Sequence, residues 1–91
     1  MAKAFRAIIR GRVQGVGFRY FTARAARQLG ITGGVRNLPD GTVEAEAAGS
    51  DPNLREFLAE LHRGPSFSTV ASVDVEWLDA APEHDSFEVG F

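Results

Sequence analysis

Two short stretches of this chain carry residue types suited to chemistry on an anion: Gln14-Gly15-Val16-Gly17-Phe18-Arg19 and Val35-Arg36-Asn37-Leu38. In the first, a pair of glycines lets the backbone turn tightly and aim successive N–H groups into one concavity. Where such a turn opens a helix, the leading amides lack helical partners and the helix dipole is positive. The place then favours a phosphate-like group, bound by the amides of Gly15, Val16, Gly17, Phe18 and Arg19. Arg19, in the first helical turn, adds a forked cation that matches phosphate oxygens. No carboxylate precedes Asp40, so nothing close in sequence repels an anion there. The loop lacks the Gly-Lys-Ser/Thr of a nucleotide loop and the third glycine of a dinucleotide fingerprint. The same residues also fit a plain strand-to-helix connector, and spacing alone does not separate the two. Asn37 has the parity of Ile31 and Val35, so its amide points to the core side just where a strand ends and must find a partner. An asparagine that bonds the turn backbone ahead of Pro39 fits that pattern equally.

These residues need elements to hold them. Phe5, Ala7, Ile9, Gly11 and Val13 alternate with Arg6, Ile8, Arg10 and Arg12, which predicts a strand with one buried face. Phe18, Phe21, Thr22, Ala25 and Leu29 recur at helical spacing, and Gly30 ends that helix. Residues 31–38 and 41–49 read as two strands joined through Pro39-Asp40-Gly41. Asp51 is expected to cap a second helix, with Pro52 at its first position, the stripe Leu54, Phe57, Leu58, Leu61, and a stop at Gly64-Pro65. Ala71, Val73, Val75 and Trp77 alternate with polar residues in a fourth strand, and Phe87, Val89 and Phe91 suggest a short terminal one. The order β-α-β-β-α-β plus a C-terminal edge strand reads as an α+β, ferredoxin-like split βαβ sandwich. Both helices should lie on one face of an antiparallel sheet, since the strands alternate rather than run continuously apolar.

The remaining candidates have plainer readings. His62 and His84 are expected at the surface, Trp77, Phe18 and Phe21 in the core, and Thr22 either under the site or bonded to its own backbone. With no cysteine and dispersed histidines, no metal constellation is visible.

At 91 residues, with 44% hydrophobic and 24% charged, the sequence is expected to form one globular domain over residues 1–91. The absence of cysteine suits a reducing compartment, and no apolar run approaches the ~18 residues of a membrane helix, so a cytoplasmic protein is expected. Nothing demands more than a monomer. Charge is uneven: eight Lys and Arg precede Asp40, whereas from Asp40 onward only Arg55 and Arg63 oppose all 12 acids. Such a split suits a nucleic-acid surface or a basic strand beside acidic ones. The outward residues of the first and third strands, Arg6, Ile8, Arg10, Arg12, Thr42, Glu44 and Glu46, include no stacking aromatic, which argues against RNA. They should instead pair across strands, with Arg6, Arg10 and Arg12 facing Glu44, Glu46, Asp74 and Glu76.

Taken together, Gly11-Arg12-Val13-Gln14-Gly15-Val16-Gly17-Phe18-Arg19, Leu29-Gly30, Gly33-Gly34-Val35-Arg36-Asn37, Asp40-Gly41-Thr42-Val43-Glu44 and Gly64-Pro65 resemble the acylphosphatase family across essentially the whole chain. The resemblance implies hydrolysis of the carboxyl–phosphate bond of acyl phosphates to carboxylate and orthophosphate, with no metal or other cofactor. It implies Arg19 as the phosphate-binding catalytic arginine, Asn37 as the residue positioning the attacking water, and the amides of Gly15 through Arg19 as the cradle. Small acyl phosphates are then the substrates and inorganic phosphate the product and an inhibitor, with neither nucleic acid nor membrane as partner. Gly34 departs from the family, which usually has a bulky aromatic there, and this bears on strand rigidity and surface packing. A catalytically idle module of the same fold, binding a ligand or a partner, is the rival that resemblance alone does not remove.

Overall fold

The computed structural model describes residues 3–80 and 84–90. Its elements are β1 (Lys3–Arg12), α1 (Phe18–Gln28), β2 (Thr32–Asn37), β3 (Val43–Gly49), α2 (Asp51–Arg63), β4 (Thr69–Leu78) and β5 (Phe87–Val89). The strands form one sheet in the order β4-β1-β3-β2-β5. The helices and one sheet face enclose a core built from Phe5, Ile9, Phe18, Val35, Val43, Leu54, Phe57 and Leu61. Phe57 stacks on Phe5 with ring centroids 6.2 Å apart and meets Phe87 edge-on at 5.8 Å. Burying each such side chain contributes about 1.5–3 kcal/mol, so the period-two and helical stripes are what hold the layers together.

The sheet is mixed rather than wholly antiparallel. β1, β2, β3 and β4 pair antiparallel, but β5 runs parallel to β2, with Gly33, Gly34 and Val35 facing Phe87, Glu88 and Val89. The reason is where the chain returns: β4 finishes at the end of the sheet where β2 begins, and β5 starts there on the opposite edge. Phe91 and residues 81–83 lie outside the described residues, so the terminal strand is defined over Phe87–Val89.

Local chemistry sets the element ends. Helix α1 closes with Ile31 N–H bonded to Ala26 O at 2.9 Å and Gly30 N–H to Arg27 O at 3.3 Å, while Gly30 takes a φ of 65°. This crossed pair of bonds needs a left-handed residue, which glycine supplies without strain. Helix α2 is capped by Ser50 rather than Asp51: the Ser50 hydroxyl accepts from Asn53 N–H, and Asp51 is the first helical residue. Either type caps well, so the one-residue offset is decided by backbone geometry.

A bulge accounts for a second difference. β1 pairs Arg10 with Ser72 and then Gly11 with Val70, skipping Ala71. Ala71 and Gly11 are therefore exposed, and Val70 packs on the core in Ala71's place. Gly11 sits at φ 127°, where an added Cβ would lie 2.1 Å from Thr69 O, so no side chain is tolerated. Trp77 has the expected parity but is 44% exposed, because β4 is an edge strand. Its indole meets Phe5 edge-on at 5.4 Å, and the Arg55 guanidinium lies 5.7 Å from its ring. Phe21 is half-buried beside Phe18.

Most of the charge split is spent within the sheet. Arg6 bridges Glu44 at 3.7 Å and Glu76 at 3.6 Å, Arg10 meets Asp74 at 3.1 Å, and Arg36 meets Glu44 at 2.8 Å. Glu44 is only 5% exposed, and two guanidiniums offset its desolvation. Glu46, opposite Arg6 in register, lies 3.7 Å from half-buried His84 instead. Arg12 makes no ion pair among the described residues.

Two turn-and-cap acids respond to pH. The Thr42 hydroxyl and amide hold the Asp40 carboxyl below its ordinary value of 3.8, and Arg55 and Lys3 do the same for Asp51. The stability that comes with a depressed folded-state value is fully present above the ordinary value and is lost as pH falls from there through the depressed one. The urea midpoint should therefore drop on acidification below pH 3.8. Combining Asp40→Asn with Asp51→Asn should make that drop shallower; an unaltered acid dependence would remove these two groups from the explanation.

Candidate active site

β1 and β2 end at the same end of the sheet, on either side of β3. Ile9 of β1 and Asn37 of β2 both register with Val43, the first residue of β3, from its two sides. The chain leaving β1 makes the glycine loop, and the chain leaving β2 makes the turn through Pro39-Asp40-Gly41. Gln14 joins them: its Nε2 donates to Leu38 O at 2.8 Å and to Thr42 O at 2.9 Å. The turn is closed on its own account, with Leu38 N–H bonded to Thr42 O at 2.9 Å and the Asp40 carboxylate accepting from Thr42 N–H and Oγ1 at 3.0 and 2.6 Å. Replacing Gln14 with Leu removes the second donor from each carbonyl, Leu38 O keeping Gly41 N–H and Thr42 O keeping Leu38 N–H, and unties the loop from the turn. A stability loss of about 1–2 kcal/mol is expected from urea unfolding, whereas an unchanged midpoint would mean that water replaces the amide.

The loop's glycines are required by conformation, not by space. Gly15 and Gly17 have φ of 74° and 78°, and an added Cβ would meet nothing within 4 Å at either. A side chain there costs about 1–2 kcal/mol of left-handed strain. Gly17 is the N-cap of α1 and has no side chain to accept from the first helical amides. Among the described residues, the amides of Gly15, Val16 and Gly17 donate to no backbone carbonyl. The helical ladder begins only at Phe21 N–H, 3.0 Å from Gly17 O. Phe18 is 1% exposed and pins this end of α1 into the core, with Val16 packed against it. Thr22 Oγ1 donates to Phe18 O at 2.8 Å and is fully buried, a helix-internal role rather than a site contact.

Arg19 is the second residue of α1 and half-buried. By helical spacing it shares a flank with Ala23 and Ala26, both buried, and with Arg27, whose guanidinium donates to Phe87 O of β5 at 2.9 Å. The Arg27 bond turns that flank toward β5, the edge strand beside β2. Among the described residues Arg19 makes no ion pair and no side-chain hydrogen bond. Asn37 Oδ1 is buried and accepts from no donor among the described residues. The turn beyond it is bonded by Leu38, Gly41 and Asp40, so that oxygen is left over. An uncharged acceptor in that state costs about 1–3 kcal/mol, an expense the fold alone does not explain.

The end of the sheet thus holds an uncapped helix start, a buried acceptor and, in the first turn of α1, an arginine with no counter-ion among the described residues. A sequence model of the acylphosphatase family matches residues 5–89. The chain belongs to the acylphosphatase family. It is 49% identical to the acylphosphatase of Salinibacter ruber over 87 residues, 96% of this chain and 92% of that one. Identity to the Archaeoglobus fulgidus acylphosphatase is 48% over 83 residues, covering 91% and 92% of the two chains. The crystal structure of acylphosphatase from Bacillus subtilis superposes with a TM-score of 0.94 at 36% identity, covering 100% of both chains. Gly34 is buried in β2 between Glu46 of β3 and Glu88 of β5. Pairing continues through it on both sides, so the strand is not interrupted.

The part of the site that sequence reasoning left without a role is the side chain of Gln14. Its signal was there: a single amide side chain where β1 gives way to the glycine loop, next to a turn with carbonyls to satisfy.

Proposed function

We propose that the chain hydrolyses acyl phosphates to carboxylate and orthophosphate, using Arg19 and the amides of Gly15 through Arg19 for the phosphoryl group and Asn37 for the water. The observation that carries this reading is the buried Oδ1 of Asn37, which accepts from no donor among the described residues, at the end of the sheet from which the chain enters the uncapped start of α1. The water oxygen attacks phosphorus, the bond from phosphorus to the acyl oxygen breaks, and the electron pair leaves on the carboxylate. The water proton passes to a phosphoryl oxygen. A carboxylate is a weakly basic leaving group, so no general acid is required. Charge spreads over the equatorial oxygens of a loose transition state, where an arginine fork and fixed amides act strongest. An asparagine cannot take a proton at neutral pH, so Asn37 orients.

The donor set is cationic and amide-based, with no cluster of three His, Cys, Asp or Glu among the described residues, and the reading assigns no step to a metal. It takes residues 1–91 as one functional unit, a monomer working in the cytoplasm. Among the described residues, no helix is long and apolar enough to cross a membrane.

Release of orthophosphate from acetyl phosphate tests the activity; no release would leave an idle binding module. Orthophosphate itself should inhibit competitively and raise the thermal midpoint. At a hundred times its dissociation constant it should add about 2.7 kcal/mol of stability. A midpoint indifferent to phosphate would argue against the cradle.

A further inference from the structure

In-line displacement fixes where the acyl group must go. Under the hydrolase reading, water held by Asn37 approaches from the end of β2, so the leaving carboxylate departs on the side away from β2. Phe21 lies about 200° around α1 from Arg19 and one turn below Gly17. On that side a cavity of about 500 Å³ opens, lined by Phe21, Arg63, Gly64, Pro65, Ser66 and Ser68. It lies at the same end of the sheet as the glycine loop: Gly64 backs on the buried ring of Phe18, where an added Cβ would lie 3.1 Å from Cε2, and Thr69, next to Ser68, registers with Arg12 at the end of β1. A second hollow of about 220 Å³ continues from it, sharing Phe21 and Arg63 and adding Arg24. Neither involves Arg19 or Asn37, so this space is distinct from the phosphate cradle.

We infer that this cavity receives the acyl part of the substrate, and that Arg24 and Arg63 make it favour acyl groups bearing a second negative charge. The inference rests on the hydrolase reading above. Phe21 and Pro65 offer an apolar wall to the acyl chain, and Ser66 a hydroxyl at its edge. Ser68 Oγ is already committed, donating to Pro65 O at 2.7 Å. The charge at the edge is net positive: Arg63 is paired with Glu60, while Arg24 makes no ion pair among the described residues. Both arginines are solvent-exposed, which suits a discriminating contact rather than an obligatory one.

The test compares kcat/KM for succinyl monophosphate and acetyl phosphate in the wild type and in the Arg24→Gln, Arg63→Gln double variant. The preference for the succinyl compound should fall about tenfold, while acetyl phosphate turnover stays within about twofold. Restoring lysine at both positions should recover part of the preference, and the inhibition constant of orthophosphate should not move. An unchanged preference, or an equal loss on both substrates, would overturn the assignment while leaving the hydrolase reading intact. If the wild type hydrolyses neither compound, the hydrolase reading falls and takes this inference with it.

Discussion

Arg19→Ala should lower kcat/KM on acetyl phosphate by at least roughly a hundredfold, because one preorganised donor to developing charge is worth that much in acyl- and phosphoryl-transfer sites. The loss should include weaker orthophosphate inhibition, since the guanidinium would contact product and transition state alike. Stability should shift by no more than about 0.5 kcal/mol: the side chain makes no ion pair or hydrogen bond among the described residues, so its removal breaks none. Arg19→Lys should restore only part of the activity. It keeps the charge but not the planar fork that engages two phosphate oxygens at once. Activity within threefold of the wild type in Arg19→Ala would remove the arginine from the mechanism.

Asn37→Ala should also cost roughly a hundredfold, but with a different signature, since positioning the nucleophile affects the reaction step and not the hold on phosphate. The loss should fall on kcat, with KM and the orthophosphate inhibition constant little changed. Its effect on stability has the opposite sign to that of an ordinary buried polar residue. Asn37 Oδ1 is buried without a donor among the described residues, and relieving that acceptor recovers part of about 1–3 kcal/mol. Alanine should therefore be tolerated without loss of stability, and a small gain is expected in urea unfolding. A variant that unfolds more easily and loses KM along with kcat would mean that Asn37 serves the turn rather than the water.

How far the sequence reached can be seen at particular residues. Layer order and strand neighbours followed from period-two and helical stripes, and Arg6 and Arg10 do face acids on β3 and β4, whereas Arg12 lies opposite Thr69 and pairs with none among the described residues. Alternation is blind to three kinds of fact. It does not see a bulge, so the inward assignment of Gly11 and Ala71 failed where Gly11 takes a φ that only glycine adopts comfortably. It gives a face but not an edge, so Trp77 was expected deeper than an outer strand allows. It does not give the direction of a short terminal strand, which is fixed by the end of the sheet from which the chain re-enters. At the site, the glycine loop and Arg19 were legible because they are consecutive. The proximity of Asn37 was not, because it depends on two strands meeting Val43 from either side and on the amide of Gln14. Residue types allowed a helix-start anion site or a plain connector, the family resemblance named Asn37, and the sheet register brings its buried acceptor to the same end of the sheet.

Under the proposed mechanism, water held at the end of β2 attacks phosphorus, and single-turnover hydrolysis of acetyl phosphate in oxygen-18 water tests this most directly. The label should appear wholly in orthophosphate, with none in acetate; label in the acetate would mean attack at the carbonyl carbon and would contradict the account.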